Sequence, residues 1–533
     1  MKVGIISTFV DYHRQGRHHR GVLQPQAGAL IAALLPPDID IEVVNDAWTD
    51  PDWRTDYDLL FISALHADFD RARQISHYWR RRGAKTVFGG TLASTHRELA
   101  APWFDAIVVG DPESTVRRVY DDFCRGDLQP AYVASPYDPL QVPTPRFDLL
   151  AQQQVLPLSL EITRGCPYAC EFCALTGLGT RHHVRPVELV VRDIVAGQRM
   201  LGRSAPWHQR RIVGFYDNNL GGNLGYLRRL CDALEPLRIW WGACVTFNVI
   251  CEPDLLARMA RAGCRGVFVG LESFNAAALA DMRKSQNVLD RVRGAIDQCH
   301  RHGILVMAGI MLSPETDDAD YIASIPRHLG EAGLHVPTYV SFETPLPGTP
   351  YFNRLAAAAE PRLLPNAALA DFNAYTLVTR PRHLGTKEFV GAYRDLSARV
   401  FSPRRRLRKL LFDLPRLALS GGPISLLYDV VELASESARP HPQRTFIAGT
   451  EPPPPELAQV PFGDGDFESE EQRSAILDPW RVTDAEGRVL PAWLAGRAVW
   501  GKRGHIALRP QRAPQPSVPT PSLPMAPPLT VAA

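Results

Sequence analysis

The sequence predicts an α/β protein of two successive parallel-sheet units with a helical extension, and two alternations of strand and helix patterns carry that prediction. The first runs through residues 1–125, where apolar runs such as KVGIIST, IDIEVVND, YDLLFISAL, KTVFGG and FDAIVVGD are separated by amphipathic stretches such as FDRARQISHYWRRRG. The second contains a cysteine-bearing loop near its start and fills residues 155–350. At 533 residues the chain has room for about three domains, and 45% hydrophobic with 22% charged residues is ordinary globular composition.

The N-terminal pattern is that of an open, doubly wound (Rossmann-like) sheet, whose ligands lie outside the carboxyl ends of the strands. The dinucleotide fingerprint G-x-G-x-x-G is missing after the first strand, which argues against NAD. In its place stand Asp11, His13 and Gly16, then Ser63 and Leu65 after a later strand, and Gly89-Gly90 after the next.

The second pattern opens with LPLSLEIT followed by EITRGCPYACEFCALTG, so Cys166, Cys170 and Cys173 share one loop rich in Gly and Pro. Soft thiolates bind zinc or an iron–sulfur cluster; three ligands leave a fourth position, which His182 or His183 would fill in a Cys3His zinc site and an open iron would occupy in a cluster. Beyond the loop come RRIVGFYD (210–217), LRIWWGACVTFN (237–248), CRGVFVGLES (264–273) and GILVMAGIML (303–312), each read as a strand and separated by helical stretches, one of which ends at Gly263. HVPTYVSFETPLPGTPYF supplies the last strand and turn. Polar residues fall at the strand ends: Asp217, Asn218, Asn248, Glu272 and Ser273. The remaining cysteines, Cys124, Cys231, Cys244, Cys251, Cys264 and Cys299, read as small core hydrophobes.

The C-x3-C-x2-C spacing, with Phe172 before the third cysteine, resembles the signature of the radical S-adenosylmethionine (SAM) enzymes. The resemblance implies a partial (β/α)6 barrel in which Cys166, Cys170 and Cys173 hold a [4Fe-4S] cluster whose open iron chelates SAM. It also implies that Asp217, Asn218, Asn248, Glu272 and Ser273 contact that cofactor, and that Met311 to Pro314 and the turn Pro345 to Pro350 match later motifs of the family. The N-terminal residues, in their order, resemble a cobalamin-binding domain, with His13 as lower cobalt ligand, Asp11 polarising it, and Gly16, Ser63, Leu65, Gly89 and Gly90 making room for the nucleotide tail. Gly110-Asp111-Pro112-Glu113 resembles the acidic turn that closes this domain, with Pro112 where glycine is commoner.

Together the two resemblances imply a cobalamin-dependent radical SAM enzyme that methylates an unactivated carbon or phosphorus of a small molecule. Rearrangement, ring contraction or oxidative cyclisation without methyl transfer is the alternative, and a non-catalytic cobalamin sensor a remoter one. A methylthiotransferase would need a second cluster, and Cys124 alone precedes Cys166. The expected domains are 1–145 (cobalamin-binding), 150–350 (radical SAM barrel), 351–430 (helical), 431–510 (a small lobe) and 511–533 (a disordered Pro-rich tail).

Lys+Arg 59 against Asp+Glu 57 leaves a net charge of +2, which steers towards neither nucleic acid nor anionic lipid over the whole chain. The basic run Arg404 to Lys409 reads as a solvated helix face. No export signal or run of 18 apolar residues is seen, so a cytoplasmic protein without a membrane span is expected, served by an external one-electron reductant of flavodoxin or ferredoxin type.

Overall fold

The computed structural model describes residues 1–10, 18, 26–179, 182–420, 446–450, 460–495, 498–500 and 506–508. Asp11, His13 and Gly16, and the tail 511–533, lie outside the described residues. Both expected sheets are present. In the first, β1 (Lys2–Ser7), β2 (Asp40–Asn45), β3 (Leu59–Ala64), β4 (Lys85–Gly90), β5 (Ala106–Val109) and β6 (Ala131–Val133) run parallel in the order β2-β1-β3-β4-β5-β6. That order places the topological switch between β1 and β3, and the strand ends there are where a doubly wound sheet takes its ligand. Apolar residues on both faces, such as Val3, Ile5, Leu59 and Phe61 on one and Ile6, Leu60 and Ile62 on the other, make each strand a continuous buried run under helices on either side.

The second sheet holds β7 (Ser159–Leu160), β8 (Ile212–Phe215), β9 (Trp240–Val245), β10 (Cys264–Glu272), β11 (Leu305–Leu312) and β12 (Tyr339–Phe342), all parallel and in sequence order, the arrangement of a six-stranded partial barrel. Alternate residues Val267, Val269 and Leu271 pack outward with Ile310, Leu312, Val340 and Phe342 against the helices, while Phe268 and Tyr339 stack inside at 5.7 Å. Gly263 ends the helix Pro253–Arg261 at φ 92, where a Cβ would stand 2.0 Å from the Ile239 carbonyl oxygen.

Three expectations are corrected. β9 ends at Val245, and Asn248 belongs to a short helical turn, Phe247–Ile250, because the chain bends as soon as the strand leaves the sheet. Cys124 is exposed at the end of the helix Val116–Cys124, on its solvent side; Cys231, Cys264 and Cys299 are core, and Cys244 and Cys251 are half-buried. Residues 460–495 do not stand apart as an appended lobe. Arg73, 1% exposed, donates to the Ala475 and Asp478 carbonyls between the Trp103 and Trp480 rings, and Arg82 pairs with Asp466 at 2.9 Å, so this segment clasps the N-terminal domain. Ala367 N donating to Thr483 Oγ1 ties it to the chain that follows the barrel. Among the described residues no helix is long and apolar enough to cross a membrane.

Candidate active site

The cysteine loop leaves the end of β7 and is anchored from below. Asp217, just past β8, accepts from Ile162 N at 2.9 Å and from Thr163 N, fixing the chain three residues before Cys166. Buried at 2% exposure with Oδ2 unpartnered, Asp217 has its carboxyl pushed up to about 7, burial outweighing those hydrogen bonds. Asn219 donates to Cys166 Sγ at 3.5 Å and Gln286 to Cys170 Sγ at 3.9 Å. Burial raises the Cys170 and Cys173 thiols, and the nearby Lys284 ammonium works against that shift at Cys170.

All three cysteines are free thiols. Among the described residues no group of three or more His, Cys, Asp or Glu side chains is gathered as a metal site. Three soft donors on one loop, two of them receiving amide N–H groups, fit the corners of an iron–sulfur cluster.

Beside this loop Glu272 ends β10 in a left-handed conformation, φ 65, at a bulge in the β10–β11 register. A non-glycine residue there is strained, and such strain persists where the surroundings over-determine it. One Glu272 oxygen pairs with Lys284, which lies 5.7 Å from the Phe172 ring centroid; the other, Oε2, is buried without a partner. Glu272 therefore carries a buried, unpartnered acceptor oxygen close enough to the cysteine loop to act on Cys170, and a cationic ligand such as the amino group of SAM would fit it. Ser273, by contrast, is fully buried and spends its hydroxyl on Tyr321 at 2.7 Å and on Asn275 N at 3.0 Å. Asn248 accepts from Tyr168 at 3.4 Å, which ties it to the cysteine loop. Asn218 is exposed, and its neighbour Asn219 is the one turned into the site.

On the far side of the mouth, Glu343 follows β12, where Ser313 Oγ donates to its Oε2 at 2.6 Å and its Oε1 has no partner. Burial pushes its carboxyl up to about 8. Lys284, Gln286 and Glu343 escape a reading of motifs, although they lie within 15 residues of Glu272 or at the end of a later strand; Asn219 stands at the strand end the sequence marks, beside Asn218.

In the N-terminal domain, Leu65 follows β3 with 63% of its surface exposed, and Ser63 is half-buried beside it. Gly90 has φ 123, and a Cβ on it would fall 2.3 Å from the Ala64 carbonyl; Gly89 has nothing nearer than Val108 at 3.9 Å. Ser63, Leu65, Gly89 and Gly90 thus lie at the carboxyl ends of β3 and β4, where three small residues leave room for a bulky, flat ring such as the corrin of cobalamin.

The two sheets meet by their carboxyl ends. Arg164, in the cysteine loop, contacts Asp111 at 3.1 Å and Glu113 at 3.0 Å in the turn after β5, and also Glu161. The turn after β12 wedges in as well: Gly348, φ 91, lies against Thr95, and a Cβ on Gly177 would stand 2.9 Å from the Gly348 carbonyl.

The cysteine loop and the strained Glu272 lie together at the end of a six-stranded parallel sheet. Residues 160–325 match the radical SAM superfamily. Among curated relatives, the bacteriochlorophyllide d C-8(2)-methyltransferase of Chlorobaculum tepidum is 25% identical over 335 residues, covering 61% of this chain and 74% of that protein. The hopanoid C-2 methylase of Rhodopseudomonas palustris is 25% identical over 411 residues, 74% of each. Among solved structures, the radical SAM methyltransferase TsrM from Kitasatospora setae, with cobalamin and a [4Fe-4S] cluster bound, aligns with TM-score 0.55 at 14% identity, covering 76% of this chain and 89% of that one. The cobalamin-dependent enzyme OxsB aligns at 0.54 and 14%, covering 81% and 75%.

Proposed function

We propose that this protein is a cobalamin-dependent radical SAM methyltransferase acting on an unactivated carbon, or phosphorus, of a small molecule. The observation that supports the reading is the contact of Arg164, in the cysteine loop, with Asp111 and Glu113 at the carboxyl end of the N-terminal sheet. Bound there, the cluster and SAM would supply a 5′-deoxyadenosyl radical and cobalamin a transferable methyl group.

The chain's own part is to hold and to shield. Cys166, Cys170 and Cys173 hold the cluster, with Asn219 and Gln286 donating to two of their sulfurs. Glu272 Oε2 would accept from the SAM amino group, while Lys284 neutralises the other oxygen. Phe172 packs beside Lys284, and Asn248 orients the loop through Tyr168. Asp217 and Asn218 shape the base of the loop and its rim, and Ser273 fixes the turn after Glu272. Ser63, Leu65, Gly89 and Gly90 seat cobalamin. The sequence supports His13 as its lower ligand, with Asp11 and Gly16 beside it. An external flavodoxin- or ferredoxin-type reductant in the cytoplasm, and no nucleic acid, complete the reading.

The test is anaerobic reconstitution with iron, sulfide and hydroxocobalamin, followed by product analysis with SAM. About four irons and one cobalamin per chain are expected, with iron lost in Cys173→Ala. S-adenosylhomocysteine formed together with 5′-deoxyadenosine supports methyl transfer. Deoxyadenosine alone would point to the non-methylating alternative.

A further inference from the structure

The helix Pro403–Ser420 lies against the barrel's outer wall, and its two faces are unlike. The inner face is fully engaged. Lys409 and Asp413, each 2% exposed, form a buried ion pair at 3.5 Å; Phe412 meets the His335 ring edge-on at 4.7 Å; and Arg405 donates to the Pro326 carbonyl. The outer face carries Leu407 at 56%, Leu411 at 64% and Leu414 at 50% exposure. Their spacing of four and three puts them in one stripe along two turns. Arg404 and Arg408 are exposed on the same face, and among the described residues neither has an ion-pair partner. Arg399, exposed near the end of the preceding helix, adds to them.

Single exposed leucines need no explanation, but a solvated helix face is polar, and three leucines in line between arginines are not that. The helix carries six basic residues against one acidic residue in a chain whose net charge is only +2, so its positive charge is local. The Arg405 guanidinium is pushed down first by burial and then by Arg408 and Arg399, a sign of crowding among like charges.

We propose that this helix docks the protein on an anionic lipid bilayer, Leu407, Leu411 and Leu414 entering the headgroup boundary and Arg404 and Arg408 pairing with lipid phosphates. A nucleic acid would leave the leucines unused. A second copy meeting this face would cover the leucines but bring Arg404 and Arg408 no carboxylate from this helix, whose one acidic residue, Asp413, is buried against Lys409. An anionic bilayer satisfies both the apolar stripe and its basic flanks, and it does so whatever group the active site transfers.

The test is cosedimentation of the full holoenzyme with vesicles of phosphatidylcholine alone and of phosphatidylcholine with equimolar phosphatidylglycerol, at low and high salt. The protein should sediment with the anionic vesicles, weakly with the neutral ones, and less at high salt. Arg404→Gln with Arg408→Gln should lower partition roughly fivefold per residue. Leu407→Gln with Leu411→Gln and Leu414→Gln, which keeps every charge, should lower it about tenfold or more. Both variants should retain the wild-type rate of deoxyadenosine formation, which shows that they fold. No sedimentation of the wild type, or equal binding by the leucine variant, would overturn the proposal. A wild-type dimer that the leucine variant converts to monomer would overturn it in favour of a second copy as occupant.

Discussion

Replacing Asp217 by Asn should stabilise the protein, and increasingly so as pH rises. The carboxyl is 2% exposed, its Oδ1 accepts two backbone N–H groups, and its Oδ2 has no partner. Burial lifts it from an ordinary 3.8 to about 7, so the folded state keeps a proton there that the unfolded chain releases. Because the folded state binds more protons between those values, wild-type stability falls as pH rises through that window and levels off above it. At about 1.4 kcal/mol per pKa unit the gap amounts to a ceiling of about 4 kcal/mol. Asparagine keeps the acceptor oxygen and cannot ionise. Urea melts of the two proteins side by side at pH 5, 6, 7 and 8 should show the variant's midpoint pulling ahead up to about pH 7 and then holding its lead. A separation that does not change with pH, or a variant that falls behind at pH 8, would refute the reasoning.

Glu343→Gln should follow the same sign with its window extending to about pH 8: near-wild-type deoxyadenosine formation at pH 7, and a stability advantage in melts above pH 8. Lys284→Met leaves the Glu272 carboxylate buried and unpaired and should cost about 3–5 kcal/mol in thermal unfolding, most of it recovered in the double variant with Glu272→Gln. Gly89→Leu, with open space at its Cβ, should fold with its cluster intact but retain little cobalamin after desalting. Gly90→Val, at φ 123 and against the Ala64 carbonyl, should destabilise the domain itself by about 1–3 kcal/mol in melts.

How much of this was legible in the sequence depends on how local each signal is. The three cysteines stand within eight positions, and their spacing survives any detail of folding. Glu272 ends an unbroken apolar run, so its place at a strand end was readable, but its ion-pair partner was not. Lys284 sits in MRKSQN, which reads as solvent-facing, and only the packing of that segment under the cysteine loop buries it. Asn218 and Asn219 are alike in composition; the turn after β8 decides that the second faces the sulfur. Ser273 was placed correctly at a strand end, yet its hydroxyl is taken by Tyr321, 48 residues away. The hairpin at Asp484 to Gly487 is legible in the turn residues DAEG and forms between Thr483 and Val489, but the docking of 460–495 depends on surfaces formed by other parts of the chain.

That docking bears on how the protein is made. Arg73 finds its carbonyl partners 402 and 405 residues further along the chain. At the usual pace of synthesis, about 5–20 residues per second, the N-terminal domain waits roughly 20–80 seconds for them. Through that interval a guanidinium and the Trp103 ring that finish up beneath Trp480 stand open on the nascent chain. The N-terminal domain expressed alone would keep that surface uncovered for good, so a fragment ending near residue 145 is a poor substitute for the whole chain.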